Sequence, residues 1–291
     1  VRYEGPIYRP PSEADSLLIQ ATVGCPHNKC TFCMVYKQGP RYRVRPVEEI
    51  REEIRRARDE IGDRCRSLFL PAGNTIAMPT EDLVAVCRYA GEQLPAIERI
   101  TVYGSSQYIL QKGLRDLQRL RAAGLSRIHV GLESGDDEVL RRVKKGATAE
   151  EHVRAGRLVV ESGIELSEYV VLGLGGVERT EAHAEATAKV LNRVSPHFIR
   201  LRTLVPKVNT LLLHQIRKGR FQLLGPHGVL RETRRLLHGL ACASTLASDH
   251  YTNYIDLEGR LPRDRERLLG QLERGLRLDE ACYRPPFVGA S

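Results

Sequence analysis

The chain has 291 residues, of which 42% are hydrophobic and 28% charged, enough apolar material for a sizeable core and too much for a disordered tail. Forty-five basic against 36 acidic side chains leave +9, which permits an anionic partner such as RNA or a phosphorylated metabolite. Nucleic acid is not favoured, because Trp is absent and the 5 Phe and 11 Tyr are scattered rather than gathered into a stacking platform. No stretch approaches the ~18–20 apolar residues of a membrane span, and the first 15 residues lack the pattern of an export or transit signal, so a cytoplasmic location without membrane contact is expected.

The chain reads as strands and helices in turn. Leu17 to Val23 is a short apolar run ending at Gly24, a first strand. A cysteine-rich segment follows, and Pro46 then opens a helix with Val47, Ile50, Ile54, Ala57 and Ile61 on one face. Ser67 to Leu70 is the second strand, stopped by Pro71-Ala72-Gly73-Asn74, and Thr80 is expected to cap the next helix. Arg99 to Tyr103 is a third strand, followed by a helix from Leu114 to Ala123; Arg127 to Leu132 is a fourth, ending at Glu133-Ser134-Gly135. Helices over Asp137–Lys144 and Ala149–Ser162 lead to a fifth strand, Leu166 to Leu172, which ends in Gly173-Leu174-Gly175-Gly176. A helix over Glu181–Val194 and a sixth strand, His197 to Leu204, close the alternation.

Six strands alternating with helices predict an α/β fold with a parallel sheet and right-handed crossovers, either an open doubly wound sheet or a partial barrel. Active groups should then gather at the C-terminal strand ends, where the Gly/Ser/Asn-rich turns and the cysteines fall. Beyond Pro206 the alternation stops, with helices around Val229–Ala243 and Arg263–Arg277 joined by irregular links. The expected organisation is an N-terminal segment 1–14, a core 15–205 and a mostly helical extension 206–291.

Seven cysteines in a chain without an export signal argue against a disulfide framework. Cys65, Cys87, Cys242 and Cys282 stand alone and read as structural. Cys25-Pro26-His27-Asn28-Lys29-Cys30-Thr31-Phe32-Cys33 instead gathers three thiols in a C-x4-C-x2-C spacing after the first strand. Three thiolates this close suit a soft metal. With His27 they supply the four ligands of a closed zinc site; alone they hold three irons of a [4Fe–4S] cluster and leave the fourth open. Spacing admits both.

A cysteine triad ending in Cys-x-aromatic-Cys, on the first loop of a six-fold βα chain, resembles the radical S-adenosylmethionine (SAM) superfamily. Ser248 to Tyr254 and Gly259 to Asp264 extend the likeness to a small group of that superfamily with a similar cluster loop. The superfamily's usual spacing is C-x3-C-x2-C, one residue shorter than here. The resemblance implies a partial (βα)6 TIM-type barrel with a C-terminal helical extension, and two cofactors: a [4Fe–4S] cluster on Cys25, Cys30 and Cys33, and SAM. It implies that Phe32 packs near the SAM adenine and that Ala72-Gly73-Asn74, replacing the usual Gly-Gly-Glu, receive the amino group by their backbone. Glu133 and Ser134 then meet the methionine or ribose part, and Gly173 and Leu174 lie along the adenine.

The activity so implied is one-electron cleavage of SAM to a 5′-deoxyadenosyl radical, which abstracts hydrogen from an unidentified substrate. A small electron donor such as flavodoxin or ferredoxin is the implied partner. Tyr36, Lys37, Arg41 and Arg43 read chiefly as a solvated basic face, whereas Arg202 and the His250–Tyr254 segment are candidates for contact with substrate, and an anionic substrate suits Arg202. Two other readings stay open: a scaffold that binds cluster and SAM without turnover, and a zinc-stabilised RNA-binding protein.

Overall fold

The computed structural model of the chain describes residues 2–289. In chain order its elements are β1 (Leu17–Leu18), β2 (Thr22–Val23), β3 (Arg43–Val44), α1 (Val47–Ile61), β4 (Ser67–Leu70), α2 (Thr80–Gln93), β5 (Arg99–Gly104), α3 (Ser106–Ala122) and β6 (Leu125–Glu133). There follow α4 (Asp137–Arg142), α5 (Ala149–Glu161), β7 (Glu165–Leu172), α6 (Gly176–Val194), β8 (Phe198–Thr203), α7 (Leu211–Arg217), α8 (Pro226–Gly239), β9 (Ser244–Ala247), β10 (Glu258–Leu261) and α9 (Arg265–Arg277). An eight-stranded sheet takes the order β1-β4-β5-β6-β7-β8-β9-β10. The pairs β1–β4, β4–β5, β5–β6, β7–β8 and β8–β9 are parallel, and β9–β10 is antiparallel. The α/β class expected from the alternation is thus observed. No helix among the described residues is long and apolar enough to cross a membrane.

The chain divides into two compact units. The first comprises the chain up to Asn28 with Val35–Val130 and Ala155–Leu166; the second comprises Lys29–Met34, Gly131–Arg154 and the chain from Ser167 on. In the first, Leu68, Phe69 and Leu70 are all buried, as a parallel strand covered on both faces requires. Helix α1 buries Ile50, Ile54 and Ala57 along one stripe, with Val47 and Ile61 half-buried at its ends. The same face buries Glu53, which pairs with buried Arg45 at 2.8 Å. In the second unit α8 packs on α6 and α9, and Gly135 lets its loop meet α6, since a Cβ there would lie 2.6 Å from the Thr187 Cα.

Several boundaries differ from expectation for physical reasons. The first apolar run is two short strands, β1 and β2, and β2 leaves the sheet to pair antiparallel with β3. Thr80 is the first residue of α2 rather than its cap; its hydroxyl donates to Asp116 at 2.9 Å, and Pro79 holds the cap position. Helix α3 begins at Ser106, with a break at Gly113 where φ is +66°, and α6 begins at Gly176 rather than at Glu181. Beyond Pro206 the sheet gains β9 and β10, which the irregular-looking links conceal. Cys65, Cys87 and Cys242 are buried, and burial pushes the Cys87 thiol up to about 12; Cys282, expected to be structural, is exposed.

Beneath β4–β6 a buried pair locks the first unit. His129 Nε2 lies 3.1 Å from Glu13 Oε1, Ser16 donates to Glu13 at 2.6 Å, and the His129 ring stacks against Phe69 and Tyr103. Burial alone would raise the Glu13 carboxyl, but hydrogen bonds from His129 and Ser16 outweigh it and hold it at about 2. Its folded pKa lies below the ordinary 4.5, so its contribution to stability is present above that value and lost as pH falls towards 2. Glu13→Gln is expected to cost roughly 1–3 kcal/mol at pH 7 and to flatten the acid limb of the stability curve, measured by urea unfolding between pH 2 and 7.

Candidate functional site

In the first unit the site residues gather around Cys25. The Gly73 N–H donates to the Gly24 carbonyl at 3.0 Å, which brings the turn after β4 against the cysteine loop. A Cβ on Gly73 would sit 2.6 Å from the Cys25 Cβ and 2.8 Å from the Tyr36 ring, so no other residue fits. Ala72, ahead of it, holds φ at +106°, a conformation that favours glycine and that a packed turn must impose. Asn74 is 1% exposed; its Nδ2 donates to Ser105 Oγ at 2.7 Å, and its Oδ1 is a buried acceptor with no hydrogen-bond partner among the described residues. The Asn28 N–H points at Cys25 Sγ, 3.4 Å away. Burial, and after it the charges of Tyr108 and Cys25, push the Tyr42 phenol up to about 12.

In the second unit, Cys30, Phe32 and Cys33 are half-buried. The Thr31 N–H donates to the Val143 carbonyl at 2.9 Å, and Phe32 packs against the cluster of Val139, Val143, Val171 and Leu174, as does Leu204. Glu133 ends β6 at φ +64° and pairs with Lys145 at 3.0 Å. Gly131 leaves room for that pair, since a Cβ there would lie 2.8 Å from the Lys145 Nζ. Desolvation would lower the Lys145 ammonium, but the charges of Glu133 and Cys30 raise it on balance. Glu168 on β7 is 2% exposed, and burial pushes its carboxyl up to about 8 against the pull of Lys145. Ser134 is fully buried and shares a 2.8 Å hydrogen bond with His183, while Gly173 donates its N–H to Glu232 at 2.6 Å. Leu174 is 1% exposed in the core, and the Ser134 side chain is taken up by His183, so neither side chain is free on the surface.

The buried polar groups beside these turns, Lys145, Glu168, His183 and Glu232, were not among the residues expected from the sequence. Isolated charges on helices read as solvated, and only Lys145, eleven residues after Ser134, follows a recognisable strand-end turn. A groove of about 760 Å³ in the second unit, lined among others by Thr180, Arg231, Glu232 and Arg235, contains none of the expected site residues.

Comparison with known proteins places this geometry. The family model of the radical SAM superfamily matches residues 19–191, more than half of the chain. The chain belongs to the radical SAM superfamily. Its fold is also similar to that of solved structures: methylornithine synthase, 16% identical with a TM-score of 0.51 over 92% of this chain and 84% of that one, and the radical SAM methyltransferase TsrM from Kitasatospora setae, solved with cobalamin and a [4Fe–4S] cluster, 20% identical with a TM-score of 0.53 over 65% and 36%. An uncharacterised protein of Methanopyrus kandleri is 28% identical over 56% of this chain and 32% of its own length. A tRNA-2-methylthio-N(6)-dimethylallyladenosine synthase of Anaplasma marginale is 29% identical over 63% and 40%. The chain therefore spans less than half the length of these curated relatives.

The superfamily's cofactors are a [4Fe–4S] cluster and SAM, and this radical SAM chain has a donor set that fits them. Among the described residues no three His, Cys, Asp or Glu side chains gather around a single-ion position. A [4Fe–4S] cluster is spread over four irons, and three cysteine thiolates would serve three of them and leave the fourth open. The orphaned Asn74 Oδ1 suits an ammonium donor, and the Lys145 ammonium suits a carboxylate.

The raised Glu168 pKa makes a directional prediction. Between the ordinary 4.5 and about 8 the folded chain holds a proton that the unfolded chain releases, so this group lowers stability as pH rises through that window. Glu168→Gln is expected to raise the melting temperature more at pH 8 than at pH 5; an equal shift at both would show that the carboxyl is ionised in the fold.

Proposed function

We propose that the chain is a radical SAM enzyme in which Cys25, Cys30 and Cys33 ligate the cluster and the turns after β4, β6 and β7 bind SAM. The observation that carries the reading is the packing of the Gly73 turn on Cys25, in a chain of this superfamily. When bound and reduced, the cluster supplies the one electron that splits SAM into methionine and a 5′-deoxyadenosyl radical, which takes a hydrogen atom from a substrate C–H bond.

The protein's own groups bind and orient. The backbone of Ala72 and Gly73, with Asn74 Oδ1, accepts the amino group of SAM, and Lys145 meets its carboxylate. Glu133 accepts from the ribose hydroxyls while its charge is balanced by Lys145, and Phe32 with the Gly173-Leu174 backbone lies along the adenine. Burial of these groups excludes water from the radical.

On the substrate side, Asn253 fastens its segment to β8 by accepting from the Thr203 N–H at 2.7 Å and donating to the Leu201 carbonyl at 2.9 Å. Burial, then the charges of Arg202 and Lys207, pull the His250 imidazole down to about 4. Arg202 and Lys207 thus bring positive charge to bear on the His250–Tyr254 segment, only partly offset by Asp249, which supports an anionic substrate. The net charge of +9 suits a small acidic electron carrier such as flavodoxin or ferredoxin.

Anaerobic reconstitution with iron and sulfide, reduction, and chromatography after adding SAM test the reading. The wild-type chain is expected to release 5′-deoxyadenosine and Cys30→Ala to release none; equal amounts from both would refute the ligand set. Glu133→Ala is expected to keep its iron and to bind SAM about tenfold more weakly, the loss of one charge-assisted hydrogen bond.

A further inference from the structure

In the second unit buried polar groups sit behind the ends of β6 and β7. The Ser134 hydroxyl accepts from the Asp136 N–H at 3.0 Å and meets His183 Nδ1 at 2.8 Å. His183 Nε2 lies 3.6 Å from the Glu232 carboxylate, beyond hydrogen-bond distance. Glu232 Oε1 accepts from the Gly173 N–H at 2.6 Å, and its Oε2 accepts from the Thr180 hydroxyl at 2.6 Å. Ser134, His183 and Glu232 are each no more than 2% exposed.

This is a costly arrangement for a turn. A buried carboxylate is tolerated only when its oxygens are engaged by donors, and two of these donors belong to the turn and to the helix that follows it. Gly173 holds φ at +79°, and the Gly176 N–H closes back on the Gly173 carbonyl at 3.0 Å. The carboxylate grips the first N–H of that closed turn, at the point where the backbone faces outward from β7. Glu232 sits on α8, beyond the residues 19–191 that match the superfamily model. The grip therefore comes from the segment that the superfamily pattern does not describe.

We propose that Glu232 is a positioning residue for SAM: it fixes the Gly173-Leu174 backbone and ties that turn to Thr180 on the helix that follows it. The inference rests on the reading of these turns as the SAM site. Its consequence is that the C-terminal segment sets cofactor affinity as well as substrate contact.

The test uses the full chain, reconstituted with its cluster, as wild type, Glu232→Ala, Glu232→Gln and Thr180→Val. Three quantities are read: iron per chain, the SAM dissociation constant, and amide hydrogen exchange over residues 171–176. Glu232→Ala is expected to keep wild-type iron, to exchange faster over 171–176 before any SAM is added, and to bind SAM about tenfold more weakly. Glu232→Gln should return to within about threefold of wild type, because its carboxamide oxygen still accepts from Gly173 and its amide still meets the Thr180 hydroxyl. Thr180→Val, which leaves Glu232 in place, should loosen the turn in the same direction by a smaller factor, and it decides the matter if Glu232→Ala does not fold. Wild-type exchange and affinity in the variants that fold would overturn the proposal, as would equal weakening by Ala and Gln. A wild-type chain that holds iron but binds no SAM would refute the functional reading itself, whereas unchanged exchange at 171–176 would refute the role of Glu232 alone.

Discussion

The absence of room at Gly73 is the constraint on which the candidate site depends. Its N–H is tied to the Gly24 carbonyl, and the space a side chain would fill is taken by Cys25 and Tyr36. Backbone can therefore reach the cysteine loop, and the price is visible in Ala72, held at φ +106°. Alanine there keeps a conformation that glycine adopts freely, which means the packing of β4 and the loop over-determines the turn. The neighbouring Asn74 keeps one buried acceptor unmatched, a cost of about 1–3 kcal/mol that a bound donor would recover.

The second unit solves the complementary problem, keeping strand-end turns in place with polar groups rather than with close packing. Glu133 is balanced by Lys145, Ser134 by His183, and the Gly173 N–H by Glu232. Each pair joins a strand-end turn to a side chain on the segment that follows it or on a helix. Because the interior is poor in water, removing one member strands its partner, so these residues act as sets. Glu168, 2% exposed and with its carboxyl pushed up by burial, marks how little solvent reaches that region.

Much of this was legible in the sequence, for reasons that differ by element. β4, β5, β7 and β8 are short apolar runs punctuated by Gly, Asn or Pro, and burial on both faces makes them stand out. The cysteine loop announces itself by three thiols within nine residues. The two-residue strands β2 and β3 carry too few side chains to show a period, and β9 and β10 alternate polar and apolar residues weakly enough to read as links. The Gly-rich turn before α6 hid that helix's true start, because Gly176 is a poor helix former that enters at φ +64°. Lys145, His183 and Glu232 were illegible for another reason. Their role comes from partners 12 to 59 positions away in the chain, and no local pattern distinguishes a buried charge from a solvated one.

The central claim, that this chain holds a cluster whose open iron takes SAM, is tested most directly by electron paramagnetic resonance of the anaerobically reconstituted, reduced protein. The account predicts a signal of a reduced [4Fe–4S] cluster whose line shape changes when SAM is added, and no such signal from Cys25→Ala. A cluster signal that SAM leaves unchanged, or one that survives the loss of Cys25, would contradict it.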